Sequence, residues 1–277
     1  MTKITASQVN ELRKMTGSGM MDCKNALVEA EGDFDKAIEI LRLKGQKVAA
    51  KRGDREANEG LIISLTDDSS KKGVITSLTC ETDFVSKNAD FADVANKIAA
   101  IALNSGVATI DELKAQSFDG NGMTIGDKVL EMVGKIGEKI DVSTFDTIEA
   151  DTVVAYNHPG NQVASLVGLN VQGQQEVGRD VAMQIAAMNP VAINQDAVSQ
   201  EVIDKEIEIG KELARQEGKP EEMLEKIAMG KLNKFFKEST LLNQAFIKEN
   251  KKSVGQYLKE IDSNLTVTAF KRHALSS

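Results

Sequence analysis

The chain has no tryptophan, two tyrosines, two histidines, two cysteines and three prolines in 277 residues. Each scarcity removes something. With aromatics at 4%, extended stacking platforms for nucleic-acid bases are not built in. His158 and His273 are the only imidazoles, so a metal site would be almost all carboxylate, and no zinc or other metal is expected. Cys23 and Cys80 lie far apart with no CxxC spacing and read as buried thiols rather than a disulfide. No apolar run approaches the roughly 20 residues that span a bilayer, so no membrane contact is expected. Met1-Thr2-Lys3-Ile4-Thr5 carries no apolar leader, which makes the cytoplasm the expected location. The net charge of −8 argues against a protein that grips phosphates over its whole surface. One basic stretch runs against that trend: Arg42, Lys44, Lys47, Lys51, Arg52 and Arg55 beside Asp54. It reads as a solvated helix end and linker before it reads as an RNA contact.

Catalytic patterns are also missing. There is no phosphate-cradling glycine loop ending in Gly-Lys-Ser/Thr, and no GxGxxG opening a helix after a strand. No GxSxG elbow occurs. Gly17-Ser18-Gly19 is too short for a phosphate loop and joins helices. His158, in Tyr156-Asn157-His158-Pro159-Gly160, sits at a turn and reads as structural or exposed rather than catalytic. Asp67-Asp68 and Glu221-Glu222 read as solvated charges. No cofactor is implied, and the chain is not expected to be an enzyme.

What is present is organisation. Residues 1–54 read as a three-helix head and a tether. Thr5 and Gln8 form a capping box ahead of Val9, Leu12 and Met15, and Gly17 stops the helix. A second helix spans about Met21 to Ala30 and ends at Gly32. Asp33 caps a third, where Phe34, Ala37, Ile38 and Leu41 recur at helical spacing. The bundle resembles a ubiquitin-associated domain. Gln46 to Gly60, basic and then polar, reads as the tether.

The remainder carries a divergent repeat. Asp93-Val94-Ala95-Asn96-Lys97-Ile98-Ala99-Ala100 matches Asp180-Val181-Ala182-Met183-Gln184-Ile185-Ala186-Ala187 at an offset of 87. Each follows a β-like run, 74–79 and 163–169. Ile136, Ile140, Val142 and Phe145 match Ile261, Leu265, Val267 and Phe270 at an offset of 125. The offset grows by 38, so the second copy carries an insertion of that size between Pro190 and Phe236. The insertion reads as helices Ser199–Glu217 and Glu221–Phe236, broken at Gly218-Lys219-Pro220. Its first arm has one stripe of Val202, Ile209 and Leu213 and another of Ile203, Ile207 and Ala214. A two-helix hairpin cannot bury both, so one packs on the body or on another protein. The fold class is therefore α+β: a small helical head, a duplicated α+β core and an inserted antiparallel helical hairpin. The expected division is 1–54, 55–150 for the first core copy, 151–190 with 237–277 for the second, and 191–236 for the hairpin.

One loop stands apart: Cys80-Glu81-Thr82-Asp83-Phe84-Val85-Ser86-Lys87-Asn88. The corresponding loop of the second copy, Gln172-Gly173-Gln174-Gln175, is wholly polar. Either Phe84 folds back onto the core, or Phe84 and Val85 stand out beside Asp83 as a wedge for a partner's pocket. Composition does not choose between them.

Two stretches carry a family resemblance. Thr16-Gly17-Ser18-Gly19-Met20-Met21-Asp22-Cys23-Lys24-Asn25-Ala26-Leu27 resembles the amino-terminal signature of the elongation factor Ts family, and Cys80-Glu81-Thr82-Asp83-Phe84-Val85 resembles its second signature. Spacing and element order agree over nearly the whole chain. The resemblance implies nucleotide exchange on the GTPase elongation factor Tu. It implies that Asp83 and Phe84, with Thr82 and Val85, wedge in near the partner's magnesium and phosphate-binding elements. By the same resemblance, Met20 and Met21 of the head lie against a helix of the GTPase domain, and His158 falls where the second core half faces the partner. No direct nucleotide binding is implied, and a homodimer or two-to-two complex is left open. Some family members continue into an extra carboxy-terminal helix. This sequence stops at Ser277, so contacts of that module are not expected of it. A competing class, a helical-head adaptor for ubiquitin-like or nascent-chain partners, accounts for residues 1–45 and leaves the core idle.

Overall fold

The computed structural model describes residues 4–120 and 122–275. Met1 to Lys3, on which the reading of the amino terminus rests, lie outside the described residues, as does Ser277. Three helices open the chain: α1 (Ala6–Thr16), α2 (Met20–Glu29) and α3 (Phe34–Lys51). Thr5 and Gln8 close a capping box on α1, and Gly17 ends it in a left-handed conformation. Asp33 caps α3 by accepting from the Lys36 N–H. Leu12, Cys23, Leu27 and Ala37 form a small core of their own.

The tether differs from expectation. α3 runs on through Lys51, and its second half packs on α7 (Ile125–Ile136). Val48 and Ala49 lie against the main core, and Gly45 lets the two helices approach closely. The packed face of this half carries only small or medium residues, Gly45, Val48 and Ala49, and its outer face is basic. Three of those basic groups are paired, Arg42 with Asp127, Lys44 with Asp22 and Arg52 with Glu81.

The main body is an α+β fold. Strands β1 (Glu59–Thr66) and β2 (Lys72–Cys80) are followed by α4 (Asp83–Ser86), α5 (Ala89–Ser105), α6 (Ile110–Lys114), α7 and β3 (Ile140–Glu149). They form an antiparallel sheet in the order β1-β2-β3. A second antiparallel sheet, β4-β5-β8, comprises β4 (Thr152–Asn157), β5 (Val163–Leu169) and β8 (Val267–Ala274). Between β5 and β8 run α8 (Gln175–Met188), α9 (Gln200–Gln216), α10 (Glu221–Ser239), the short β6 (Ala245–Phe246) and β7 (Glu249–Ser253), and α11 (Val254–Ile261).

The sheets meet through Ile62, Ile75 and Ile148 on one side and Val153, Ala164 and Leu166 on the other. The outer face of the first is covered by α5 and α7, through Phe91, Ile98, Val129 and Val133. The outer face of the second is covered by α8 and α11, through Val181, Ile185 and Leu258. β2 and β5 are buried on both faces, β2 with Thr76, Ser77 and Thr79 among its buried residues. Each is the middle strand of its sheet and leads, through a loop, towards the helix that covers it. Thr124 caps α7 and Ser253 caps α11 with the same reciprocal box.

The hairpin α9–α10 closes at its base, where the Val191 N–H donates to the Ser239 carbonyl and the Leu241 N–H to the Ala192 carbonyl. Ile203 and Ile207 pack with Leu232 and Phe236, and Gly210 abuts Ala228. Ala214 is buried, whereas Ile209 and Leu213 are exposed. The body of the chain does not cover that end of the stripe.

Candidate functional site: the turn after β2

β2 ends at Cys80, and Thr82 opens the four-residue helix α4. So short a helix has no stability of its own. Its position comes from its surroundings. Cys80 pairs with Ile140 as the last rung of the β2–β3 ladder. Beyond that rung, carboxylates take the place of carbonyls. Glu81 accepts from the Lys139 N–H at 2.6 Å, and Glu138 accepts from the Thr82 N–H at 3.1 Å and the Thr82 hydroxyl at 2.7 Å. The two segments thus exchange side-chain-to-backbone bonds in the register the strands have set.

Arg52, at the end of α3, donates to both oxygens of Glu81 at 2.7 and 2.8 Å. The Lys139 ammonium donates to the Gly53 and Arg55 carbonyls. The Lys139 N–H first, and then Arg52, hold the Glu81 carboxyl below its ordinary range. The Cys80 thiol donates to the Thr82 carbonyl. Burial first, and the nearby Glu138 charge second, push this thiol up to about 12. It is a protonated donor, not a nucleophile.

On this base the four anticipated residues part company. Successive helical residues point about 100° apart. Val85 turns inward and packs on the main core, contrary to its expected exposure beside Phe84. Phe84 turns outward and is 86% exposed, so it does not fold back onto the core. Asp83 accepts from Lys87 one turn on, at 2.6 Å, and that hydrogen bond holds its carboxyl below the ordinary range. Thr82 is the hinge point held by Glu138.

The other anticipated residues lie on separate elements. Met20 and Met21 open α2 and are 53% and 62% exposed. His158 stands in the β4–β5 turn, exposed, with its Nδ1 3.1 Å from the Tyr156 hydroxyl. That turn is fixed to the first sheet, since the Ile62 N–H donates to the Asn161 carbonyl. Residue reading missed Glu138 and Arg52. Glu138 is brought there by the β2–β3 register and Arg52 by the full length of α3, neither of which single-sequence reading supplies.

Among the described residues no group of three or more His, Cys, Asp or Glu is placed to hold a metal ion, and no helix is long and apolar enough to cross a membrane.

The profile of a protein family, Elongation factor TS, matches residues 81–277. The chain is 57% identical over 277 residues to elongation factor Ts of Christiangramia forsetii, covering 99% of this chain and 100% of that one. It is 52% identical to elongation factor Ts of Flavobacterium psychrophilum, again over 99% and 100% of the two chains. The chain belongs to the elongation factor Ts family. A third relative, elongation factor Ts of Cytophaga hutchinsonii, is 48% identical over the full length of both. These alignments include the head, which lies outside the profile match. Membership in the elongation factor Ts family implies a part in translation elongation, as a nucleotide exchange factor for elongation factor Tu.

Proposed function

We propose that this cytoplasmic, non-enzymatic chain releases GDP from elongation factor Tu by inserting the turn that carries Asp83 and Phe84 near the partner's magnesium and phosphate site. The observation behind this reading is a phenylalanine left almost wholly exposed on a turn whose other residues are anchored. A monomer gains nothing from holding a large apolar side chain in water; a partner pocket that desolvates it does. Asp83 flanks it as a carboxylate beside a cation-binding site. Met20 and Met21 supply a second apolar contact, and His158 a third at the other sheet. The chain need not bind nucleotide itself.

An exchange factor works by linkage. It binds the empty GTPase more tightly than the loaded one, and nucleotide weakens its binding by the same ratio. A wedge stabilises a partner conformation with poor magnesium geometry. No bond forms or breaks, so no nucleophile or general acid is called for.

We also infer that the two sheet-and-helix units are copies of one ancestor and that the hairpin is an insertion in the second. The shared capping boxes of α7 and α11 and the central placement of β2 and β5 support this. The exposed Ile209 and Leu213, with Met223 and Met229, give the hairpin an apolar surface for the partner or for a second copy.

The test is release of fluorescent GDP from preloaded elongation factor Tu, chased with unlabelled GDP. Release that accelerates with this protein and saturates supports the reading; release at the intrinsic rate at every concentration contradicts it.

A further inference from the structure

Thr82 occupies the N-cap position of α4, yet its hydroxyl does not cap the helix. A threonine there ordinarily accepts from an N–H one turn on. Here the hydroxyl is turned away and donates to Glu138, as does the Thr82 N–H. The Thr82 carbonyl accepts from the Cys80 thiol and from the Val85 N–H at 3.2 Å. Every polar group of this residue is therefore engaged, and two of its three bonds to groups outside α4 end on one carboxylate. Glu138 itself sits in the turn between α7 and β3, after the left-handed Gly137 that ends α7.

We propose that Glu138 is a positioning residue for nucleotide release, acting through Thr82 to fix the direction in which Phe84 projects. The inference rests on the exchange reading above. A four-residue helix held at its N-cap by a two-point, charge-assisted clamp shifts when the clamp is lost, because the ties that remain, the Cys80 thiol on the Thr82 carbonyl and the inward side of Val85 and Ser86, leave the Thr82 N–H and hydroxyl unheld. Glu138 lies outside the turn and acts on it only through Thr82. Its loss therefore alters how Phe84 is presented, with the partner-facing side chains unchanged.

The experiment is a double-mutant cycle on GDP release from elongation factor Tu, measured over a range of factor concentrations. Glu138→Ala and Thr82→Val each lower the maximal release rate by about tenfold or more, the size of a lost hydrogen bond to a charged group. The double variant is no slower than Glu138→Ala alone, because Thr82→Val removes one of the two bonds that Glu138→Ala already removes. Thr82→Ser, which keeps both donors, restores release to near the wild-type rate. Glu138→Gln falls between, since an amide oxygen accepts without the charge. It also serves as the informative variant if Glu138→Ala does not fold. A purely structural role lowers the amount of folded protein and leaves the rate per folded molecule alone. Wild-type rates in the folded Glu138 variants, or additive losses in the double variant, overturn the inference while the exchange reading stands. No acceleration by the wild-type protein overturns both.

Discussion

Gly45 of α3 faces the Leu130 carbonyl of α7 so closely that a methyl group at position 45 would stand 2.5 Å from that oxygen. From the other side, a methyl group on Gly134 would come within 3.2 Å of the Gly45 Cα. The head is thus seated on the body by backbone-to-backbone contact. Gly45→Ala forces the helices apart, and overpacking of this kind costs about 1–3 kcal/mol, offset by up to ~1 kcal/mol of helix propensity. The expected outcome is a net fall in melting temperature. Gly230→Ala, in α10 with open space around it, is the control and should hold or raise it.

Asp146 on β3 joins the two sheets at β8, accepting from Lys271 at 2.7 Å and lying 2.8 Å from His273 Nε2. The His273 bond first, and then Lys271, outweigh burial and hold its carboxyl below the ordinary range. A depressed folded-state value stabilises the protein above the unfolded value, about 4, and that contribution is lost as pH falls through the folded value. Asp146→Asn should therefore melt lower than wild type at pH 7, with the gap closing below about pH 4. A gap that stays constant through the acid range would contradict this.

Removing the hairpin is expected to do little damage to its host. Val198, Leu232 and Phe236 form a cluster apart from both sheet cores. The base is pinned independently, since buried Gln244 donates to the Met188 and Glu238 carbonyls and accepts from Gln184. Deleting Val198 to Lys237 and bridging the gap with a short linker keeps all of those partners. A single cooperative melt of the shortened protein is expected; a broad, non-cooperative one would show that the hairpin holds the second sheet together.

Much of this architecture was legible from residues. The capping box at Thr5, the cap at Asp33 and the break at Gly218-Lys219-Pro220 announce helix ends through local chemistry. The sequence does not show that α3 continues past Gln46, because its packed face is Gly45, Val48 and Ala49, too small to register as an apolar stripe, while its outer face is basic. The orientation of Phe84 was not legible either. Phe84 and Val85 are adjacent and both apolar, and which of them faces in depends on the phase of a four-residue helix. That phase is set by Glu138, which lies 56 positions from Thr82 and meets it only through the β2–β3 register.

The exposed side chain of Phe84 carries the account, and one variant tests it. Phe84→Ala should leave the free protein nearly as stable as wild type, with a loss of roughly 1 kcal/mol or less, as for a surface change. Nucleotide release should suffer instead, by about 2 kcal/mol or more of coupling to elongation factor Tu, which is roughly thirtyfold in rate. Melting curves of the free variant and its GDP-release rates with the partner read the two quantities separately. An unchanged melt with strongly slowed release is the predicted result. A melting temperature lowered by many degrees, with release per folded molecule at the wild-type rate, would contradict the account.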